Sequence, residues 1–145
     1  MADRAARLTA LVGEYDEKWS ALDFAGVANL WERHDPRPIY IGDEYAVPLV
    51  GADELDRHWA RIGSRLKRAT VSSRLWTAEG LAGGVARCVL LSQWSCTGQE
   101  SDVAHTGTSW ITWLLTFRGD RYRIFHHMEL QVYLEEGFPD GSGGV

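Results

Sequence analysis

The sequence predicts an α+β domain, with helices gathered in its first half and long antiparallel strands in its second. Three observations predict this. Up to Lys67 the apolar residues recur at intervals of three and four, the helical period. From Ala69 onward the interval falls to two, the strand period. The runs of period two are joined by Gly-containing turns, which return each strand beside the last.

Residues 5–22 read as a helix, with Leu8, Leu11, Val12, Tyr15, Trp19 and Leu22 forming one apolar stripe. Asp23 has the character of an N-cap, and Phe24, Val27, Leu30 and Trp31 are the inward residues of a short second helix. Two prolines within His34–Pro38 forbid its continuation. Ile39–Ile41 and Tyr45–Leu49 are short strands around a Gly42-Asp43-Glu44 turn. Residues 51–67 form a third helix. It has Leu55, Trp59, Ile62 and Leu66 on one face, acids at its start and bases at its end, as the helix dipole prefers. Four strands follow: Val71–Ala78, Gly84–Ser95, Val103–Phe117 and Arg121–Tyr133, the last two joined by Gly119-Asp120 as a tight hairpin. Residues 1–133 make a single domain. The Gly- and Ser-rich stretch 134–145 is expected to be a flexible tail.

Composition limits the function. The chain has 145 residues, enough for one core, and a net charge of −5, which gives no global electrostatic reason to seek nucleic acid. Its densest apolar stretch, Trp110 to Phe117, is eight residues, against the roughly 20 of a membrane span. No apolar leader opens the chain, so a cytoplasmic location is expected. Cys88 and Cys96, on one straight strand, would lie about 26 Å apart, too far for a disulfide. No Cys or His spacing suggests a metal site, and no cofactor is expected. Seven tryptophans indicate either an aromatic-lined cavity or interface, or a heavy core.

The segments GEYDEKWSALDFAGVANLWERHD, IYIGDEYAVPLVGADELDRHWARI and TFRGDRYRIFHHMEL, in that order, resemble the nuclear transport factor 2-like superfamily and, within it, the SnoaL-like branch. The resemblance spans about residues 5–133. It implies a cystatin-like, cone-shaped barrel: a strongly curved antiparallel sheet wrapped around a long N-terminal helix, with a pocket at the open end. It also implies dimers through the outer sheet face. Its members include ketosteroid isomerases, polyketide cyclases and scytalone-type dehydratases as well as proteins that only bind or assemble, so fold alone does not decide function.

The last hairpin sorts the candidate residues. With a two-residue loop and regular pairing, Phe117 faces Tyr122, Leu115 faces Ile124, Trp113 faces His126 and Ile111 faces Met128. This row is almost wholly apolar and is expected to face inward. The other row, with Trp110, Leu114, Phe125, His127 and Glu129, is expected to be the outer face and the dimer interface, where His127 and Glu129 could ligate a metal across a dimer but are expected to make a plain interfacial hydrogen bond. His126 is the polar exception on the inner row. It is either a satisfied core histidine or a proton carrier near neutral pH.

By the resemblance, Tyr15 matches the ketosteroid isomerase tyrosine that stabilises an oxyanion. The isomerase base position falls near Ile41, its second donor is replaced by Trp113, and the dehydratase Tyr-Asp pair falls on Trp19 and Ser20. Asp16 is expected to be solvated. Nothing in the sequence brings His58 and His126 together, and which face of strand 84–95 is inward stays open.

Two functions follow as expectations. One is a cofactor-free lyase, isomerase or cyclase for a hydrophobic, cyclic or polyketide-like molecule. In it Tyr15 and His126 are catalytic, and Trp19, Trp59, Trp113, Tyr122 and Met128 bind substrate. The other is a non-catalytic binding or assembly module of the same fold.

Overall fold

In a computed structural model, residues 3–133 are described. Helix α1 (Arg4–Ser20) is capped at its start by the Asp3 carboxylate, which accepts from the Ala5 amide. It buries Leu8, Leu11, Val12 and Tyr15. It ends two residues before the apolar stripe does. The amides of Leu22 and Asp23 close on the carbonyls of Trp19 and Lys18, and Leu22 takes a left-handed conformation, φ 57°. Asp23 is the N-cap of α2 (Phe24–Ala28), as its position predicts, and accepts from the Gly26 amide.

Next come β1 (Ile39–Ile41), β2 (Leu49–Val50) and α3 (Ala52–Arg65). The residues from Tyr45 to Pro48, expected as strand, are a loop. Glu54 in the first turn of α3 reaches back to accept from the Val50 amide at 2.6 Å, which fixes the helix start against β2. The long strands are β3 (Leu66–Gly80), β4 (Val85–Gly98), β5 (His105–Arg118) and β6 (Arg121–Gln131). All exist as predicted, and β3 begins several residues earlier than its period suggests. Gly119 and Asp120 both have positive φ (56° and 69°), the conformation of a type I′ hairpin turn.

The six strands form one sheet in the order β2-β1-β6-β5-β4-β3. All neighbours are antiparallel except β1 and β6, which are parallel. Helix α1 packs along β3 and also meets β6, three strands away. That distance is about 14 Å on a flat sheet, so the sheet curls toward the helix. Register shifts in β3 (between Leu66 and Arg68, and between Leu75 and Thr77) and in β6 supply the bending.

Strand β3 lies at the sheet edge, and α1 closes that edge with side chains. Ser20 Oγ accepts from the Val71 amide at 2.9 Å, and Asp16 Oδ2 accepts from the Ser73 amide at 2.6 Å. Asp16 is therefore not the solvated residue the sequence suggests. Burial raises its pKa, and the bonds from Ser73 oppose that rise.

The shift in β6 reverses one prediction. Pairing is regular from Arg118↔Arg121 to Leu115↔Ile124, then resumes as Leu114↔His126, with Phe125 the extra residue of a bulge. Beyond it every residue sits on the face opposite to the one expected. Trp113 pairs with His127, not His126, and Ile111 pairs with Glu129, not Met128. The bulge falls where the other neighbour of β6 changes. Ile124 exchanges hydrogen bonds with Leu30 and Glu32, whereas β1 pairs with β6 from His126 onward.

The expected tail, 134–145, lies outside the described residues. Cys88 and Cys96 are both free. Among the described residues no helix is long and apolar enough to cross a membrane.

Replacing Asp16 by Ala leaves the Ser73 amide unpaired at a half-buried edge. The expected loss is about 1–3 kcal/mol, read as a lower urea midpoint with unchanged slope. An unchanged midpoint would show that α1 does not close this edge.

Candidate functional site

The inner face of the sheet is laid out in rungs. Cys88, Trp113 and His127 lie side by side on β4, β5 and β6; next come Leu90, Ile111 and Glu129, and then Ser92, Ser109 and Gln131. Trp94 and Gly107 form the last inward pair of β4 and β5 before Cys96. The inward face of strand 84–95 is thus the one carrying Ala86, Cys88, Leu90, Ser92 and Trp94. The rungs are mostly apolar, with His127 and Glu129 the exceptions, until they turn wholly polar at Ser92, Ser109 and Gln131.

The apolar end is solid core. Trp113 is fully buried and meets the edge of Tyr15 at 5.1 Å. Trp59 is packed among Trp19, Phe24, Trp31, Tyr40 and His58. The polar end opens into a cavity of about 290 Å³. Tyr15 and Trp19 of α1, Tyr40 of β1, Asp43 and Glu44 of the following loop, and Ile62 of α3 line it on one side. Val71, Ser92, Trp94, Cys96, Ser109, Ile111, Glu129 and Gln131 line it from the sheet. Gly107 makes room for the Trp94 indole, which occupies the space a side chain there would need.

Of the residues singled out in the sequence, Tyr15 and Trp19 line the cavity. Trp59 and Trp113 are core, one layer below it. His126 is on the outer face, half-buried, and Met128 beside it is 47% exposed, because the bulge turns both outward. Tyr122 packs on Phe117 at the hairpin, away from the cavity. His127, expected in an outer interface, is buried inside. Glu129, expected outside with it, reaches the cavity.

A chain of hydrogen bonds orders this region. The Trp113 indole N–H donates to His127 Nδ1 at 2.9 Å. An indole nitrogen can only donate, so Nδ1 is the acceptor and the ring hydrogen sits on Nε2. Nε2 in turn donates to Glu129 Oε1 at 3.0 Å. Burial pushes the Glu129 carboxyl up, but the bonds from His127 and from the Ser109 hydroxyl outweigh it and hold the pKa below 4.5. Glu129 is thus a carboxylate at neutral pH, held from behind and presented to the cavity.

Two phenols face it. Burial, with the Glu129 and Asp16 charges adding, keeps the Tyr15 pKa well above 10, so the hydroxyl stays protonated. Burial, with the Glu129 and Glu44 charges adding, does the same for Tyr40. Tyr40 is committed: its hydroxyl donates to Glu44 Oε1 at 2.6 Å. Tyr15 is 95% buried; the Trp19 indole N–H lies toward its oxygen and partly opposes the rise, and among the described residues no acceptor takes its O–H.

Behind the cavity the Tyr40 ring lies between two imidazoles, 4.6 Å from His58 and 4.7 Å from His127. A histidine pair does form around Tyr40, with His127 rather than His126. His58 Nδ1 bonds the Tyr45 hydroxyl at 2.6 Å, which also accepts from Arg61 at 2.7 Å. Burial, aided by the Arg61 charge, drives the His58 pKa down to about 3. Among the described residues no group of three or more His, Cys, Asp or Glu is placed to hold a metal ion.

Sequence comparison gives no match to a family model and none to a curated protein. Structural comparison does. A ketosteroid isomerase-like protein from Erwinia carotovora atroseptica superposes with a TM-score of 0.76 at 12% identity, over 92% of this chain and all of its own. A nuclear transport factor 2-like family protein from Streptomyces avermitilis, described as a dehydratase, gives 0.73 at 14% identity, over 90% and 97%. The hexachlorocyclohexane dehydrochlorinase LinA Type2 gives 0.73 at 8%, over 89% and 85%. The chain has the nuclear transport factor 2-like fold. At such identities the likeness establishes architecture and leaves the site to be argued from its own residues.

The buried His58 predicts a stability profile. A histidine that stays neutral when folded, but takes a proton at about 6.5 when unfolded, gives full stability above pH 6.5. That stability drains away as pH falls toward 3. Between pH 7.5 and 4.5 the loss is roughly 2–3 kcal/mol from this group. His58→Phe should flatten most of that slope in urea titrations across this range. A slope equal to wild type would show that His58 is not the group responsible.

Proposed function

We propose that the protein is a lyase or isomerase acting on a hydrophobic, cyclic or polyketide-like small molecule by general acid–base chemistry, with Glu129 as the base and Tyr15 as the oxyanion donor. The observation that carries this is a carboxylate kept ionised in an aromatic cavity, alongside a buried phenol whose O–H no described acceptor takes. The neighbours described as isomerase-like, dehydratase and dehydrochlorinase support the class. The cavity size suits a compound of one or two rings.

Glu129 takes a proton from carbon next to a carbonyl. The C–H electron pair moves toward the carbonyl oxygen, and the Tyr15 O–H donates to the charge that develops there. In an isomerisation the Glu129 proton returns at another carbon. In an elimination the electron pair expels a leaving group, which departs with the proton from Glu129 and so restores the carboxylate. His127 is a positioning residue: both its ring nitrogens are engaged, and it aims the carboxylate.

Deuterium exchange into β-tetralone, followed by NMR in D₂O, tests this. The wild type should accelerate exchange well above an equal concentration of acetate. Glu129→Gln should lower the rate 10²–10⁴-fold, and Tyr15→Phe about 10–100-fold. His126→Ala should leave the rate unchanged. The rate should hold through neutral pH and fall only in acid, below the ordinary carboxylate range, as Glu129 takes its proton. Exchange no faster than acetate would leave the non-catalytic binding module as the reading.

We propose further that two copies pair through the outer sheet face. It carries Trp110 and Leu114, with Phe125 at the bulge, and the exposed Met128 and Leu130 extend it; His127 is no part of it. Leu130→Asp should convert a dimer to a monomer in sedimentation velocity. A wild-type monomer at high protein concentration would exclude the pairing.

A further inference from the structure

The cavity has a charge character that the base and the phenol do not use. Three carboxylates line it: Glu129 within, and Asp43 and Glu44 from the exposed loop at its mouth. No Lys, Arg or His is among the described lining residues. Arg61, beside the lining Ile62, is turned to Tyr45, donating to its hydroxyl and lying over its ring. Four aromatic side chains, Tyr15, Trp19, Tyr40 and Trp94, make up much of the remaining wall.

An anion in this cavity would meet like charge with little water to screen it. A neutral ring compound would gain from the aromatic walls and nothing from the acids. An organic cation gains from both, because carboxylates attract it directly and ring faces attract it through their quadrupoles. The acids do not stand alone as evidence of a site. They belong to a cavity of about 290 Å³ with an aromatic wall, in which Tyr15, 95% buried, keeps an O–H that no described acceptor takes.

We propose that the cavity takes a ring-bearing organic cation, an amine or quaternary ammonium compound, with its ring against Trp19 and Trp94 and its positive nitrogen toward Asp43 and Glu44. This rests on the cavity being a ligand site but not on Glu129 acting as a base. It narrows the hydrophobic cyclic substrates proposed above to those carrying a positively charged nitrogen.

Three probes of similar shape and different charge decide it: phenyltrimethylammonium, tert-butylbenzene and benzenesulfonate. Each is titrated into the full chain at pH 7.5 and followed by tryptophan fluorescence. The cation should bind at least tenfold more tightly than the neutral isostere, and the sulfonate should not saturate. Asp43→Asn with Glu44→Gln should reduce the preference to below threefold without weakening tert-butylbenzene. Glu17→Gln with Glu100→Gln, exposed acids outside the cavity, should change nothing.

Equal or tighter binding of the neutral isostere, saturable sulfonate binding, or a preference that survives loss of the loop acids would overturn the proposal. So would a cation preference abolished by the outer pair of substitutions. Exchange of β-tetralone by a protein with no cation preference would defeat this inference alone. A flat response to all three probes, together with no exchange, would defeat the catalytic reading as well.

Discussion

One extra residue in β6 decides what the cavity contains. With Phe125 accommodated as a bulge, His127, Glu129 and Gln131 point inward and His126, Met128 and Leu130 point out. Without it the inner row would continue as Tyr122, Ile124, His126 and Met128, and the cavity would hold no carboxylate from the sheet. The bulge is held from both sides. Ile124 is tied to the backbone of Leu30 and Glu32 just before it, and His126 to Met128 are tied to β1 just after it. The strand passes from one neighbour to the other at the place where its register slips.

A carboxylate taken into an apolar hollow is expensive unless its lone pairs are used. Here the cost is met through a directed chain of hydrogen bonds. Trp113 can only donate, so it fixes which nitrogen of His127 is bare, and that choice leaves Nε2–H for Glu129. Each link sets the next, and the first is anchored in a fully buried indole. The same charge then acts outward: it raises Tyr15 and Tyr40 further than burial alone and keeps both phenols protonated. The difference between them lies in their partners, since Tyr40 is spent on Glu44 and Tyr15 is not.

Much of this fold was legible in the sequence because it follows from local periodicity. The stripe Leu8-Leu11-Val12-Tyr15, the Asp23 cap, the two prolines after α2 and the Gly119-Asp120 turn each name their own structure. Tyr15 and Trp19 follow from the same stripe. The site's other half was not legible, and the reason is physical. Binary patterning assumes that the apolar row of a strand is the buried one. After Phe125 that assumption inverts, since the outward row keeps Met128 and Leu130 and the inward row is His127, Glu129 and Gln131. An exposed apolar row and a polar cavity exchange the usual signs. The remaining signal is the uninterrupted polar run at 127, 129 and 131, which reads equally well as a solvent face. Asp16 misled for a related reason: its partner is a backbone amide on a strand 57 residues away, which no residue type announces.

The rungs of the inner face show how one sheet serves both packing and chemistry. Toward the hairpin, the rung of Cys88, Trp113 and His127 has no space left in it, and a side chain there can be positioned to a fraction of an ångström by its neighbours. One rung further, Leu90 and Ile111 are still core, but Glu129 beside them reaches the open volume. A functional carboxylate on the first rung would be buried without access, and one on the rung of Ser92 and Ser109 would lose its contact with His127 and its shelter from water. The middle rung is the position where a group is both held by close packing and able to touch a ligand. That is the placement a base needs if its orientation is to cost nothing at the moment of proton transfer.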